Sequence, residues 1–291
     1  MKALVTGATG FIGRHLTRDL LNAGYDVGVA VRSRERLKET GFEKEVSCFL
    51  FDLEAVPQGN LWSFFQRPDI VFHLAWEGLP NYSSLHHIEE NLPRHYRFLK
   101  GLVQGGCPRI LVAGTCAEYG NQSGRLKESD PSLPDNAYAT AKHMLYLMSR
   151  IISKKYSGTL IWARIFYITG ERRRASLFDD LAQAMRRGDG SFDLSGGEQL
   201  RDFLRVEDVA FKMRKISEIA DKSMVVNLGS GLPVSVRSVV ERIVRENNSS
   251  IRLNWGRLPY SANEPMAFWA DIKRLNRLLG TGEMNGPDFG L

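Results

Sequence analysis

Cysteine is scarce in this chain, and long apolar runs are missing. The three cysteines, Cys48, Cys107 and Cys116, have neither an even count nor metal-ligand spacing, which argues against a disulfide framework and a cysteine-based metal site. We therefore expect reduced thiols, no metal and a cytoplasmic location. No apolar run is long enough to span a membrane, and the first strand begins too early for a signal peptide to precede it, so we expect no membrane partner.

Charge of one sign does not dominate either. The 291 residues carry 39 Lys and Arg against 33 Asp and Glu, a net charge of +6 that is mostly spread along the chain. No stripe of basic and aromatic residues marks a nucleic-acid surface, so we expect no nucleic-acid partner. The balance suits an anionic small molecule, and a hydrophobic content of 43% is that of a globular protein with a large core.

Apolar runs alternate with helical patterns over the first part of the chain. Strand-like runs occupy residues 25–31, 46–51, 69–75, 109–115 and 159–165, and long helical patterns cover 84–105 and 136–156. Buried parallel strands have such continuous apolar runs, and right-handed β-α-β units connect them. The predicted fold class is therefore α/β, with a Rossmann-type doubly wound parallel sheet.

The pattern loosens after residue 166. Helices are predicted near 176–187, 206–219 and 235–246, with short strands within 191–204 and a strand at 225–229. We expect a Rossmann domain over 1–166 and, over 167–291, mainly a smaller α/β lobe, with some chain returning to the sheet. Such a lobe would cover the carboxyl edge of the sheet, where folds of this class bind ligands.

Three glycines at intervals of three follow the first apolar run, in the stretch TGATGFIG (6–13). Gly7 can turn sharply out of a strand because it has no Cβ, Gly10 can let the main chain approach an anion, and Gly13 can let the next helix pack closely. Apolar residues at helical spacing from Phe11 onward predict that helix, whose N-terminus suits a phosphate. After the first strand of a Rossmann-type sheet, this pattern predicts a dinucleotide site.

The second strand selects the dinucleotide. An acidic residue at its end would bind the ribose 2′-hydroxyl of NAD, but this strand ends in Arg32-Ser33-Arg34, and two guanidinium groups suit a 2′-phosphate. NADP(H) is therefore predicted to be preferred, with NAD(H) possible; the alternative is a solvated basic turn. Beyond the third strand, Asp52 and Leu53 could cover the adenine, or Asp52 could be a solvated loop carboxylate.

Tyr138 and Lys142, in the stretch YATAK, lie four residues apart on a predicted helix and so face the same way. An ammonium group one turn away favours the phenolate, which predicts that Lys142 lowers the pKa of Tyr138 toward neutrality. Thr115 ends the strand 109–115 at the same edge of the sheet. We expect the three groups to act on one reacting oxygen; the alternatives are a surface helix and a hydroxyl bonded to its own turn.

Five motifs in chain order carry a family resemblance. TGATGFIG (6–13), HLA (73–75), GTCAEYG (114–120), YATAK (138–142) and RDFLRVEDVA (201–210) resemble the extended short-chain dehydrogenase/reductases that modify nucleotide sugars. The resemblance implies an enzyme whose substrate is a nucleotide-diphosphate sugar. It also implies that Thr115, Tyr138 and Lys142 are catalytic and that Lys142 contacts the nicotinamide ribose.

The resemblance assigns binding roles as well. Arg201 would hold the diphosphate of the sugar nucleotide, with a surface ion pair to Asp202 as the alternative, and Asn81, Thr115 and Tyr138 would contact the sugar. With the residues argued above, the cofactor set becomes Gly7, Thr9, Gly10, Phe11, Ile12, Gly13, Arg32, Ser33, Arg34, Asp52, Leu53, Leu74, Ala75, Trp76, Tyr138, Lys142, Tyr167 and Ile168.

Two subtypes of the family fit this chain poorly. Its 4,6-dehydratases carry an acid pair or a glutamate just after the catalytic threonine, where this chain has Cys116 and Ala117. Glu118 comes one position later, and we expect it to point away on an extended segment. The enzymes that epimerise C3 and C5 need a cysteine at the position of Ala117 and a later histidine, but no histidine follows His143.

The remaining choice is between a reductase and a 4-epimerase. A 4-epimerase needs a tightly held NAD, whereas a 4-ketoreductase needs an exchangeable NADPH. Arg32 and Arg34 favour NADPH-dependent reduction of a nucleotide-linked 4-keto-6-deoxyhexose, a step of deoxysugar biosynthesis, with hydride to C4 and Tyr138 as the proton donor. The alternatives are an NAD-dependent nucleotide-sugar 4-epimerase and, less favoured, a dinucleotide sensor without turnover.

The helices near 84–105 and 136–156 carry more apolar residues than one sheet face needs. In the family this pair forms a four-helix interface between two subunits, so we expect a homodimer; the alternative is that both helices are buried within one subunit. The apolar positions are Leu92, Phe98, Leu99, Leu102, Met144, Leu145, Leu147, Met148, Ile151 and Ile152.

Overall fold

Strands and helices alternate through the first half of the chain, as the sequence predicts. The computed structural model describes residues 1–170, 176–260 and 265–280. The elements up to residue 170 are β1 (Lys2–Thr6), α1 (Phe11–Asn22), β2 (Asp26–Val31), α2 (Arg34–Lys38), β3 (Ser47–Leu50), α3 (Leu61–Phe64), β4 (Ile70–His73), α4 (Leu92–Gln104), β5 (Arg109–Thr115), β6 (Gly124–Leu126), α5 (Ala137–Lys155), β7 (Thr159–Ile165) and β8 (Tyr167–Thr169).

Shorter elements follow in the second half. They are α6 (Leu177–Arg187), β9 (Ser191–Asp193), β10 (Leu200–Arg205), α7 (Val206–Ile219), β11 (Met224–Leu228), β12 (Pro233–Ser235), α8 (Val236–Glu246), β13 (Arg252–Asn254), β14 (Phe268–Ala270) and α9 (Lys273–Leu279). Most predicted elements are present with ends shifted by about two residues or fewer, as is usual for such boundaries.

A seven-stranded parallel sheet forms the centre of the described structure, in the order β11-β7-β5-β4-β1-β2-β3. The predicted α/β fold class is therefore confirmed. The strand order reverses between β1 and β4, because the chain proceeds outward from β1 on one side and from β4 on the other. The loops after these two strands consequently leave a crevice between them at the carboxyl edge.

Apolar cores lie on both faces of this sheet. On one face, Leu16 and Leu20 of α1 are buried together with Val209 and Met213 of α7. On the other face, side chains of α3, α4 and α5 are buried against the strands, among them Leu61, Phe98, Leu102 and Leu145. This double covering explains the continuous apolar runs of the central strands.

A third core holds the smaller lobe together. It contains Leu181 of α6, Phe203 of β10 and Val239 and Val240 of α8. Two later elements leave this lobe, since β11 joins the edge of the large sheet beside β7 and α7 covers its face. The predicted return of the chain to the sheet is thus present, whereas the domain boundary at residue 166 stays a prediction.

The predicted helix 84–105 differs from the structure at its start. Residues His87–Asn91 form a π-helical turn, and the regular helix α4 begins only at Leu92. Pro93 lies in the first turn of α4, directly after the π turn, and it has no N–H to donate to a carbonyl of that turn. The extra residue of a π turn moves side chains around the helix axis, which periodicity alone does not reveal.

Candidate active site

The glycine turn forms a cradle at the end of β1. Gly7 has φ +73°, and a Cβ there would lie 2.8 Å from the Ala75 nitrogen. A Cβ on Gly13 would lie 2.0 Å from the Gly7 oxygen, so α1 packs directly on the turn. Gly10 caps α1 without a side-chain hydrogen bond, which leaves the first N–H groups of the helix available. These features fit the pyrophosphate of a dinucleotide.

A cavity of about 480 Å³ runs along this cradle, between the loops after β1, β2, β3 and β4 and the start of α4. Its position matches the crevice created by the strand order. Ten of the predicted cofactor residues line it, namely Gly7, Thr9, Gly10, Arg32, Ser33, Asp52, Leu53, Leu74, Ala75 and Trp76.

The basic end of the cavity differs from the prediction in one residue. Arg32, Ser33 and Arg36 line the cavity, whereas Arg34 is not among its lining residues. Ser33 caps α2 by accepting a hydrogen bond from the Arg36 nitrogen, and residues three apart in a helix share a face. Arg36 therefore replaces Arg34 beside Ser33. Arg32 also forms an ion pair with Glu77, which lines the same cavity.

Asp52 lies at the cavity and also takes part in its own loop. It lines the cavity, and its Oδ1 accepts a hydrogen bond from the Glu54 nitrogen at 3.0 Å. The carboxylate thus shapes its own loop and still has acceptor capacity toward the cavity. Its contact with adenine stays a prediction.

Four further predicted cofactor residues stand away from the cavity wall. Phe11 and Ile12 begin α1 and pack against the core of the first sheet face. Ile168 is a buried member of that core, and the Tyr167 ring packs against Phe203 and Phe268. The two residues lie on β8, which continues from β7 to pair with β10, and the Arg201 guanidinium carbon lies 5.6 Å from the Tyr167 ring centre. Their roles at the nicotinamide stay predictions.

The structure brings the three predicted catalytic side chains together. Thr115 ends β5, Tyr138 and Lys142 lie one turn apart on α5, and none is more than 9% exposed. The Thr115 side chain lies near enough to the Tyr138 phenol to act on its pKa. Lys142 Nζ donates to the Ala113 oxygen at 2.9 Å. Their catalytic roles stay predictions.

The charge states of this group correct the expected electrostatics. Burial raises the pKa of Tyr138, and the hydrogen bond with Thr115 opposes that rise only in part. Burial also lowers the pKa of Lys142 to about 7, against the attraction of the Glu118 carboxylate. The expected lowering of the Tyr138 pKa by Lys142 is therefore wrong for this structure, because desolvation dominates both groups.

Aromatic and imidazole rings cluster around Trp76, which lines the cavity and whose ring centre lies 6.0 Å from that of Tyr138. Trp76 stacks on His95 with ring centroids 4.5 Å apart, and Lys142 Nζ lies 4.0 Å from the Trp76 ring centre. His73 forms two hydrogen bonds: its Nε2 lies 2.7 Å from His95 Nδ1, and its Nδ1 lies 2.8 Å from the Thr6 hydroxyl oxygen. Burial lowers the pKa of His73 to about 3, so this imidazole is neutral at physiological pH.

The loop before the π turn covers Tyr138 from the other side. The main-chain oxygen of Tyr82 accepts a hydrogen bond from the main-chain nitrogen of Tyr138 at 3.0 Å. His87 Nε2 donates to the Asn81 oxygen at 2.8 Å, and Trp76 Nε1 donates to His87 Nδ1 at 3.2 Å. These bonds fix His87 as a neutral imidazole protonated on Nε2. The predicted contact of Asn81 with substrate stays a prediction.

Arg201 is buried inside the smaller lobe. Its side chain is 2% exposed and donates to the Leu200 oxygen, and its guanidinium carbon lies 5.0 Å from the Phe268 ring centre. Asp202 is also buried and accepts hydrogen bonds from Ser230, Gly231 and Ala270. A surface ion pair between Arg201 and Asp202 is therefore wrong, since neither side chain is at the surface. The contact of Arg201 with a diphosphate stays a prediction.

The order of these features along the chain matches a known family. Residues 3–229 match the NAD dependent epimerase/dehydratase family, which covers the glycine turn, the cavity and all three predicted catalytic residues. The chain belongs to this family. The resemblance to nucleotide-sugar enzymes that the motifs predict is confirmed, and the protein is an enzyme rather than a sensor by this membership.

Individual relatives match this chain over nearly its whole length. It is 31% identical to the dTDP-6-deoxy-L-talose 4-dehydrogenase (NAD(+)) of Aggregatibacter actinomycetemcomitans, over 92% of this chain and 99% of that protein. The structure of MoeE5 in complex with UDP-glucuronic acid and NAD is 28% identical, with a TM-score of 0.82, and the match covers 98% and 95% of the two chains. A UDP-glucuronic acid 4-epimerase variant from Bacillus cereus, 23% identical, shares the fold with a TM-score of 0.85.

Two kinds of feature are absent from the residues that the structure describes. Among them, no helix combines the length and the apolar character that crossing a bilayer requires. Within the same ranges, His, Cys, Asp and Glu side chains do not gather in any group of three or more that could hold a metal ion.

Sequence reasoning missed several residues of this family site. Arg36, Glu77, Asn91, Arg94 and His95 line the cavity. Arg36 follows the helix-capping Ser33 by three residues, and that spacing was a usable signal. The residues on the π turn and α4 could not be predicted in this way. They reach the cavity from a helix that lies many residues after β4, so no local spacing connects them with it.

Proposed function

We propose that this enzyme uses NADPH to reduce the C4 ketone of a nucleotide-linked 4-keto-6-deoxyhexose. The observation that carries the proposal is the meeting of Thr115, Tyr138 and Lys142 at the sheet edge, beside a cavity whose far end presents Arg32 and Arg36. When bound, NADPH supplies the hydride. The side chains of this enzyme then have to place the ketone and provide one proton.

Tyr138 is the proposed proton donor. Burial raises its pKa, so the phenol holds its proton until an alkoxide develops on the substrate. Thr115 donates a hydrogen bond to the same oxygen. Lys142, one turn along α5, supports the phenolate that remains, and its charge is worth most in this water-poor site.

The talose 4-dehydrogenase supports the choice of substrate. Its name describes oxidation at C4 of a 6-deoxyhexose attached to dTDP, and the reverse direction is the reduction proposed here. The same name gives NAD(+) as the cofactor. Our preference for NADP(H) therefore rests on Arg32 and Arg36 and on the absence of a carboxylate at the end of β2.

An NAD-dependent 4-epimerase is the second candidate. MoeE5 was solved with UDP-glucuronic acid and NAD, and an epimerase needs the same three catalytic residues. Glu77 favours this candidate too, because its ion pair with Arg32 occupies a guanidinium that would otherwise face a 2′-phosphate.

Turnover assays separate the two candidates. The purified enzyme is incubated with NADPH or NADH and with 4-keto-6-deoxyhexoses carried on dTDP, GDP, CDP or UDP, while loss of the reduced nicotinamide is followed. We expect consumption of NADPH with at least one of these ketones and formation of one C4 alcohol. In a parallel reaction with NAD⁺ and the corresponding C4 alcohols, interconversion of the C4 epimers without net formation of NADH would establish the epimerase instead.

A further inference from the structure

Glu118 has no part in the mechanism above, although its carboxylate lies directly beneath Thr115. The sequence predicts that it points away on an extended segment, and this is wrong. Residues Cys116–Tyr119 form a 3-10 turn closed by a capping box. The Thr115 hydroxyl oxygen accepts from the Ala117 nitrogen at 3.2 Å, and Glu118 Oε1 accepts from the Thr115 nitrogen at 2.9 Å.

The capping box determines what the Thr115 hydroxyl can do. A hydroxyl has one proton and two acceptor lone pairs. Because Ala117 uses one lone pair, the proton is free to be donated toward the side where Tyr138 stands. The Glu118 carboxylate thus anchors the main chain of Thr115, while the bond accepted from Ala117 leaves the hydroxyl its proton to donate.

The carboxylate accepts two further side-chain hydrogen bonds, and an imidazole lies close to it without a hydrogen bond. Trp162 Nε1 donates to Oε1 at 2.8 Å, Arg164 Nε donates to Oε2 at 3.1 Å, and His143 Nδ1 lies 3.7 Å from Oε2. Glu118 is completely buried. A Cβ on Gly114 would lie 2.8 Å from Oε1, so the end of β5 approaches this carboxylate as closely as a glycine allows.

The four contacts join the elements that carry the catalytic residues. Thr115 ends β5, Trp162 and Arg164 lie on the neighbouring strand β7, and His143 follows Lys142 on α5. Burying a carboxylate is costly unless it is paired and hydrogen-bonded. Such a group at this junction therefore ties β5, β7 and α5 into one arrangement.

We propose that Glu118 is a positioning residue that acts through Thr115, by fixing the end of β5 so that the Thr115 hydroxyl and the Tyr138 phenol meet the same substrate oxygen. The proposal deepens the proposed function and rests on it. It predicts that losing the acceptor for the Thr115 nitrogen lowers the rate of reduction only while residue 115 carries a hydroxyl.

The test uses a matched pair of double variants. Removing Glu118 alone would leave Arg164 as an unpaired buried charge, which is strongly destabilising. Both variants therefore carry Arg164→Met, together with either Glu118→Gln or Glu118→Leu. Glutamine keeps an acceptor for the Thr115 nitrogen, whereas leucine has a similar size and no acceptor. Each is also made with Thr115→Val, which completes a double-mutant cycle.

With Thr115 present, we expect the leucine variant to reduce substrate at least about tenfold more slowly than the glutamine variant in single turnover, because an unsatisfied buried N–H lets the turn relax. Cofactor affinity is expected to differ by less than about threefold, since the cradle is remote. In the Thr115→Val background the same exchange is expected to change the rate by less than about threefold.

Equal rates for the two variants, or the same loss in both backgrounds, would overturn the proposal in favour of a purely structural role. If the leucine variant does not fold, Glu118→Asp with Arg164 retained is compared with the wild type in both Thr115 backgrounds, because aspartate keeps the charge opposite Arg164 and withdraws the acceptor by one methylene. A wild-type enzyme that turns over none of the sugar nucleotides would overturn the proposed function itself, and with it any catalytic role of Thr115 for Glu118 to serve.

Discussion

Tyr138 keeps its proton in the free protein because burial raises the phenol pKa. We expect Tyr138→Phe to lower single-turnover reduction by roughly two to four orders of magnitude, the usual contribution of a positioned acid–base group. Stability and cofactor binding are expected to change little, since the ring and its packing remain. A phenylalanine variant with the wild-type rate would show that the proton comes from another group.

Lys142 is expected to have two roles, and its variant should differ from that of Tyr138. Its ammonium group lies within the same buried cluster, and the family resemblance adds a contact with the nicotinamide ribose. We expect Lys142→Met to lower turnover and also to weaken cofactor binding, as measured by titration of the cofactor. A loss of turnover with unchanged cofactor affinity would contradict the second role.

The guanidinium groups at the end of β2 provide a test of cofactor choice. Each charge-assisted hydrogen bond to a 2′-phosphate is worth about 1.5–3 kcal/mol, so Arg32→Ala with Arg36→Ala should weaken NADPH binding by a hundredfold or more, on the order of 3 kcal/mol. NADH binding is expected to change much less. Arg34→Ala is the matched control, because Arg34 shares α2 but does not line the cavity. Equal losses for NADPH and NADH would refute the assignment.

Buried imidazoles link β4 to α4 and make the fold sensitive to acid. The pKa of His73 is lowered by burial from 6.5 to about 3, so below pH 6.5 the unfolded chain binds a proton that the folded chain excludes. The free energy of unfolding should therefore fall as pH drops from 6.5 toward 3, by about 2 kcal/mol at pH 5 from this residue. Denaturant titrations at several pH values measure this dependence. His73→Gln should reduce the slope and leave the part that His95 contributes, whose pKa burial also lowers; an unchanged slope would contradict this role of His73.

Elements with one dominant periodicity could be predicted from the sequence, and elements defined by tertiary contacts could not. The apolar run ending at Thr115 and the helical spacing around Tyr138 are local signals, and both elements have the predicted bounds within about two residues. The turn of Glu118 toward Thr115 had a local signal, the Thr-x-x-Glu spacing of a capping box, whereas its hydrogen bonds with side chains of β7 come from residues more than 40 positions away. The π turn at His87 breaks the regular helical period, so periodicity did not reveal it.

The same limit applied to cofactor and substrate residues. The glycine turn has a geometric requirement that only glycine meets, so its spacing carried information. Arg34 and Arg36 are chemically identical, and only the phase of α2 decides which one faces the cavity. Arg201 has no local pattern that reveals its burial.

Half of the apolar positions that suggested a dimer are used within the subunit. Phe98, Leu99, Leu102, Leu145 and Ile152 belong to the core of the second sheet face. Met144 and Ile151 remain 42% and 65% exposed on α5, and residues seven apart lie on one side of a helix. The homodimer therefore stays a prediction. The exposed apolar surface that supports it is smaller than the ten apolar positions in the sequence suggested.

Light scattering at micromolar concentration tests the dimer. We expect the mass of two chains for the wild type and of one chain after Met144→Glu with Ile151→Glu, because two charges would be buried at a self-complementary contact. Leu258→Glu is the control, since Leu258 is 52% exposed outside α4 and α5. A wild type with the mass of a single chain would rule out this interface.

At the scale of the whole molecule, the cavity and the catalytic group together must deliver one hydride to C4 of a sugar. NADPH carrying deuterium at both C4 positions of the nicotinamide ring is incubated with the enzyme and a nucleotide-linked 4-keto-6-deoxyhexose, and the product is examined by NMR. If the enzyme is a 4-ketoreductase, we expect one deuterium at C4 of the released sugar for each NADP⁺ formed. Release of a C4 epimer without deuterium, or oxidation of the cofactor without label at C4, would contradict it.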